Sequence, residues 1–139
     1  MANNNVNSSC DDMSIVQALK SVNKQTWDHC IRVEETSLLL ANEIKLSKEE
    51  KAILRQAALL HDIGKLLIPV NILNKPGDLD DDEWKVMKRH SELGELIIKD
   101  DKSLYAGMNK AANIIRFHHE HYNGGGYPDG LKGDSIPLL

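Results

Sequence analysis

The stretch Ala57-Ala58-Leu59-Leu60-His61-Asp62-Ile63-Gly64-Lys65 decides how this chain is read, because an apolar run reaches an imidazole beside a carboxylate and then a glycine. The four apolar residues suit a buried helical turn, and Gly64 is a natural stop for it. An adjacent His and Asp can fill two positions of a site for a hard or borderline metal, and Lys65 lies one helical step further on, where it can meet a phosphate. Read alone, the pair fits a metal-dependent phosphohydrolase signature, and it fits an ordinary helix-terminating hydrogen bond equally well.

Working outward, Ser47-Lys48-Glu49-Glu50 forms a capping box, in which the Ser47 hydroxyl accepts from the Glu50 amide while the Glu50 side chain returns to the Ser47 amide. The helix that starts there is predicted to end at Gly64. A second box pairs Asp80 with Glu83, with Leu79 placed to staple against Trp84, and opens a helix carrying Met87, His90, Leu93 and Ile97. Between the two, Pro69, Pro76 and Gly77 exclude a continuous helix over Leu66 to Leu79 and predict a crossing loop with short turns.

Upstream, apolar residues recur at helical spacing from Met13 through Ile15, Leu19, Val22, Trp27, Cys30 and Ile31 to Leu38, Ala41 and Ile44, with a break near Asn23. A final helix is predicted from about Met108 to Glu120, whose positions Ala111, Ile114 and Ile115 put His118 on or beside the buried face. No alternating strand pattern is found, so the fold class is all-α. Residues 1 to 12, rich in Asn and Ser, read as a disordered lead-in or linker, and 13–139 as one domain.

Composition narrows the function. The 139 residues are 41% hydrophobic and 27% charged, as in a globular domain with a single core. A net charge of −4 offers no general basic surface to a nucleic-acid backbone, so a polymeric nucleic acid is excluded and any phosphate must be captured locally. Cys10 and Cys30 lack paired metal spacing, the N-terminus lacks a signal sequence, and no apolar run nears the roughly 20 residues that cross a bilayer. The cytoplasm is the expected compartment.

Of the six histidines, His29, His61, His90, His118 and His119 fall on four predicted helical segments, the way metal sites are assembled in helical folds. Each has a plainer reading. His29 suits a hydrogen-bonded core position, His118-His119 suit a helix C-terminus, and Lys65 suits the dipole at such an end. The run Gly124-Gly125-Gly126-Tyr127-Pro128 is a permissive backbone with an aromatic ring for stacking, or an ordinary mobile turn.

The chain resembles the HD-GYP family of bacterial HD phosphohydrolases from Trp27 to Leu139. The likeness rests on His29-Cys30-Ile31-Arg32-Val33, Leu60-His61-Asp62-Ile63-Gly64-Lys65, Ile68-Pro69, Ile72-Leu73-Asn74-Lys75-Pro76-Gly77, His90 with Gly94, His118-His119-Glu120, and Gly126-Tyr127-Pro128-Asp129-Gly130-Leu131-Lys132-Gly133, in that order. It implies an HD-type helical bundle and a metal-activated hydroxide that hydrolyses cyclic di-GMP to the linear dinucleotide and onward to GMP. It makes His29, His61, Asp62, His90, His118 and His119 ligands of two divalent or mixed-valent ions, iron or manganese, with Asp62 bridging. Lys65 and Arg32 then face phosphate, and Gly126, Tyr127 and Pro128 the substrate. A diguanylate cyclase domain and a second copy of the chain are the implied partners.

The departures from the family carry expectations too. Gln25 stands one turn before His29 where some relatives have a Glu that supports a third metal, so two metals are expected. His121 replaces a usual Arg and Asn123 a usual Asp, which bears on loop anchoring. Relatives continue past Leu139 into a helix bearing an Asp ligand, so the chain is expected to be a fragment of a longer enzyme with little turnover alone. The competing readings are an HD phosphohydrolase for another nucleotide and a non-catalytic signalling module.

Overall fold

The computed structural model describes residues 17–21, 24–100 and 108–137, and the expected lead-in over residues 1 to 12 lies outside them. Residues 17–21 are helical (α1). They are followed by α2 (Lys24–Glu43), α3 (Lys48–Leu60), a 3-10 segment (Ile63–Leu67), α4 (Val70–Leu73), α5 (Asp81–Lys88), α6 (His90–Asp100) and α7 (Met108–Phe117). A 3-10 turn at Gly133–Ser135 follows the glycine loop. Among the described residues there is no strand, only an isolated bridge between Asn123 and Lys132, and the all-α class holds.

Both capping boxes form as the sequence predicts. The Ser47 hydroxyl accepts from the Glu50 amide at 3.2 Å while Glu50 accepts from the Ser47 amide at 2.8 Å, and Asp80 and Glu83 repeat the exchange. The helix ends differ from expectation. α3 stops at Leu60 instead of Gly64, the predicted single helix from Asp80 breaks at Arg89 into α5 and α6, and α7 stops at Phe117 instead of Glu120.

One physical cause runs through all three breaks. Just past each end stands a histidine whose Nδ1 donates to the carbonyl three residues back: His61 to Ala58 at 2.7 Å, His90 to Met87 at 2.8 Å and His118 to Ile115 at 2.7 Å. The side chain takes a carbonyl that the helix would otherwise use. The main chain then tightens to three-residue bonds, as from Lys65 to Asp62 and from Glu120 to Phe117.

α2 packs on α3, α3 on α7 and α7 on α6, with the 3-10 segment laid along α6. The buried core between them includes Leu19, Cys30, Ala57, Ile63, Ile98, Ala111 and Ile115. The 3-10 segment approaches α6 so closely that a Cβ on Gly64 would collide with the His90 carbonyl oxygen and stand 2.6 Å from the Gly94 nitrogen. Glycine at 64 is what lets the backbone after Asp62 lie against the start of α6, and so brings Asp62 to His90.

Candidate metal centre

Five imidazoles and one carboxylate converge at the end of the bundle where these helices stop. Ring centroids lie 5.2 Å apart for His29 and His61, 5.0 Å for His61 and His118, 5.3 Å for His90 and His118, and 4.0 Å for His118 and His119. The donor atoms form two groups, His29 with His61 and Asp62, and His90 with His118 and His119, each within 4.8 Å internally. Asp62 lies between them, with Oδ2 3.5 Å from His61 Nε2 and Oδ1 3.5 Å from His90 Nε2.

The donor set itself tests whether a metal fits. Burial pushes His90 below its ordinary pKa despite the Met87 carbonyl, and burial with the nearby His119 pushes His118 down to about 3, so both rings are neutral near pH 7. Their Nδ1–H groups are committed to carbonyls, which leaves the Nε2 lone pairs facing each other at 3.4 Å, with the Asp62 oxygen beside them. Lone pair against lone pair is repulsive, and a shared cation turns all of these atoms into ligands at once. The residues present therefore fit a metal.

Asp62 is 2% exposed, yet its acidity is intact. Burial works to raise its pKa, and His61, the Lys65 charge and hydrogen bond, and His90 together outweigh it, holding the carboxyl below its ordinary range. Lys65 is not a free ammonium, since it donates to Asp62 Oδ2 at 2.7 Å while lining the cleft. Behind the site, burial pushes the Cys30 thiol up to about 12, and Cys30 stands in neither donor group.

The cleft beside this cluster has a volume near 510 Å³, and His29, Arg32, Lys65, His119 and Tyr127 line it, as does Gln25 one turn before His29. Of the three loop residues named from sequence, Tyr127 reaches the cleft and stacks on His119 with ring centroids 4.6 Å apart. Gly126 and Pro128 do not line that cleft. Gly126 lies under the turn after α7, where a Cβ would collide with backbone atoms of His119 and His121.

Sequence reasoning missed what holds the glycine loop. Just beyond the glycines it is tied by Glu120, whose carboxylate accepts from the amides of Asp129 at 2.7 Å, Gly130 at 2.9 Å and Leu131 at 2.9 Å. Arg116 clamps the same loop, donating to both Asp129 oxygens and to Glu95 on α6. Asn123, noted as a departure, accepts from the Gly125 amide at 2.9 Å. The position of Glu120 directly after two candidate ligands was the available signal.

Residues 13–139 match the family profile described as "HD domain". The chain is 44% identical over 107 residues to the cyclic di-GMP phosphodiesterase response regulator RpfG of Xanthomonas campestris, which covers 77% of this chain and 28% of that protein. It is 38% identical over 125 residues to 3'3'-cGAMP-specific phosphodiesterase 2 of Vibrio cholerae, covering 90% and 24%. It is 40% identical over 114 residues to the cyclic di-GMP phosphodiesterase of Thermotoga maritima, covering 82% and 30%. The chain thus spans between 24% and 30% of the length of these curated relatives.

Proposed function

Because the chain belongs to the HD domain family, we propose that it is the hydrolytic core of a metal-dependent phosphodiesterase whose substrate is cyclic di-GMP. The observation that carries this reading is the His90 Nε2 lone pair, which faces His118 Nε2 at 3.4 Å and stands 3.5 Å from the buried Asp62 carboxylate. The relatives divide between cyclic di-GMP and 3'3'-cGAMP in their names, and guanine is common to both substrates.

We assign two divalent or mixed-valent ions, iron or manganese, one held by His29, His61 and Asp62 and the other by His90, His118 and His119. When bound, such ions lower the pKa of a water toward neutrality and neutralise charge on phosphoryl oxygens. The chain's own part is positional. Asp62 spans the two donor groups, its carboxylate directed by Lys65 and by the histidines on either side. Lys65 and Arg32, on the wall of the cleft, present N–H donors to the non-bridging phosphate oxygens, and Tyr127 on His119 bounds the far side. Hydrolysis of one phosphodiester opens the ring to the linear dinucleotide, and of the second yields GMP.

The compartment we propose is the cytoplasm; no described helix is long and apolar enough to cross a membrane. A diguanylate cyclase domain and a second copy of this chain are the proposed macromolecular partners, and light scattering of each mixture measures them.

The test is to load the protein with manganese or iron(II), add cyclic di-GMP at high protein concentration and separate the products. The linear dinucleotide is expected, and Asp62→Ala is expected to lose both product and metal. Retention of both by Asp62→Ala would overturn the assignment.

A further inference from the structure

A second cleft, of about 630 Å³, opens beside the first and is lined by Asp81, Trp84, Lys85, Lys88, His119 and Tyr127. The two clefts share Trp84, His119 and Tyr127 as their common wall. The first holds the metal donors and Lys65; the second has aromatic rings and charged groups but no second cluster of ligands. A cyclic dinucleotide carries its bases beside its phosphates, so a phosphate set against Lys65 directs a base over the shared rings. Trp84 is 46% exposed, a large ring face left open to solvent at this wall.

The sequence places the needed groups on one face of α5. Asp81, Trp84 and Lys88 stand at i, i+3 and i+7, which align along a helix. Lys85 is already taken by Asp82 at 2.7 Å, whereas the Lys88 ammonium stands over the Tyr127 ring at 5.6 Å, inside the cleft. A purine sandwiched there would find a carboxylate at one end and an ammonium at the other.

Resting on the phosphodiesterase reading, we propose that this second cleft is a guanine subsite, in which Trp84 stacks on the base, Asp81 accepts from its N1–H and exocyclic amine, and Lys88 donates to O6 and N7. The arrangement discriminates by donor and acceptor pattern. Guanine offers donors at N1 and N2 and acceptors at O6 and N7, matching a carboxylate and an ammonium in turn. Adenine reverses two of these groups. Its N1 lone pair would face Asp81, and its N6 amine would meet the Lys88 donors.

The experiment titrates the protein with 5'-GMP and with 5'-AMP by calorimetry, follows tryptophan fluorescence alongside, and in parallel measures cleavage of cyclic di-GMP by the metal-loaded protein. GMP is expected to quench fluorescence and to bind more tightly than AMP. Trp84→Ala should weaken both nucleotides by roughly 5- to 150-fold, the range of one base stack, and abolish quenching, while Trp84→Phe restores most of the affinity. Asp81→Asn should weaken GMP and strengthen AMP, because the Asn amide can donate to the adenine N1, and so reduce the preference for GMP. Because Trp84 and Asp81 are exposed, neither variant removes core packing. Equal binding of GMP and AMP by the parent protein, or unchanged GMP binding in both Trp84→Ala and Asp81→Asn, overturns the subsite. Cleavage without GMP preference sinks the subsite alone, and GMP-selective binding with neither cleavage nor metal uptake keeps the subsite and sinks the phosphodiesterase reading.

Discussion

Lys65 has two neighbours to serve, the Asp62 carboxylate it holds at 2.7 Å and the cleft it lines. A lysine that only balanced Asp62 would be made redundant by a metal ion on the same carboxylate. One that also meets phosphate keeps a task once metal is present. Lys65→Ala is therefore expected to retain metal stoichiometry and to lower turnover by about 10²-fold, the scale of losing one preorganised charge donor. Metal analysis and single-turnover rates on the same sample check it. Full activity, or loss of metal as in Asp62→Ala, would withdraw the phosphate role. The His61-Asp62 pair and the spacing of Lys65 were legible in the sequence because all three depend on local order. The roles of Glu120 and Arg116 were not, since their partners lie 9 to 21 positions away and only the folded chain brings them together.

At the scale of elements, the contact of the 3-10 segment with α6 decides whether the two donor groups meet. A methyl on Gly64 would run into the His90 carbonyl, and neither backbone can yield cheaply. Gly64→Ala is expected to destabilise the fold by about 3 kcal/mol, the upper part of the usual overpacking range, and to move His90 away from Asp62. Urea midpoints give the first effect and metal affinity the second. An unchanged midpoint would show that the contact is looser than described. Helix starts were readable from the sequence and helix ends were not, for a definite reason. The capping boxes at Ser47 and Asp80 are complete within four residues, whereas the ends at Leu60, Lys88 and Phe117 are set by histidines turning back onto the helix.

Over the whole molecule, clustering so many imidazoles makes stability depend on pH. Burial, with neighbouring His90, lowers His119 to about 4, and burial with neighbouring His119 lowers His118 to about 3, against 6.5 for a free imidazole. The unfolded chain takes up protons at these rings below about pH 6.5, and the folded chain refuses them until much lower pH. Stability is thus full above pH 6.5 and is lost as pH falls from there toward 4 and 3. The metal-free protein is expected to melt at a clearly lower temperature at pH 5 than at pH 7.5, with His118→Gln flattening the dependence. Equal melting temperatures at the two values would contradict it. The family profile matches residues 13–139, so it takes in residues 101–107, which lie outside the described structure.

The bonds from His61, His90 and His118 to carbonyls three residues back have a consequence for how a metal arrives. Each bond spans less than one helical turn, so ring orientation and tautomer are settled by each helix end on its own, before any ion is present. The entropy of aiming the ligands is spent during folding, and little rearrangement is left for the moment of capture. Such a centre should load rapidly and be indifferent to which of several similar ions comes first. Availability in the surroundings, more than recognition by the protein, would then decide its occupant.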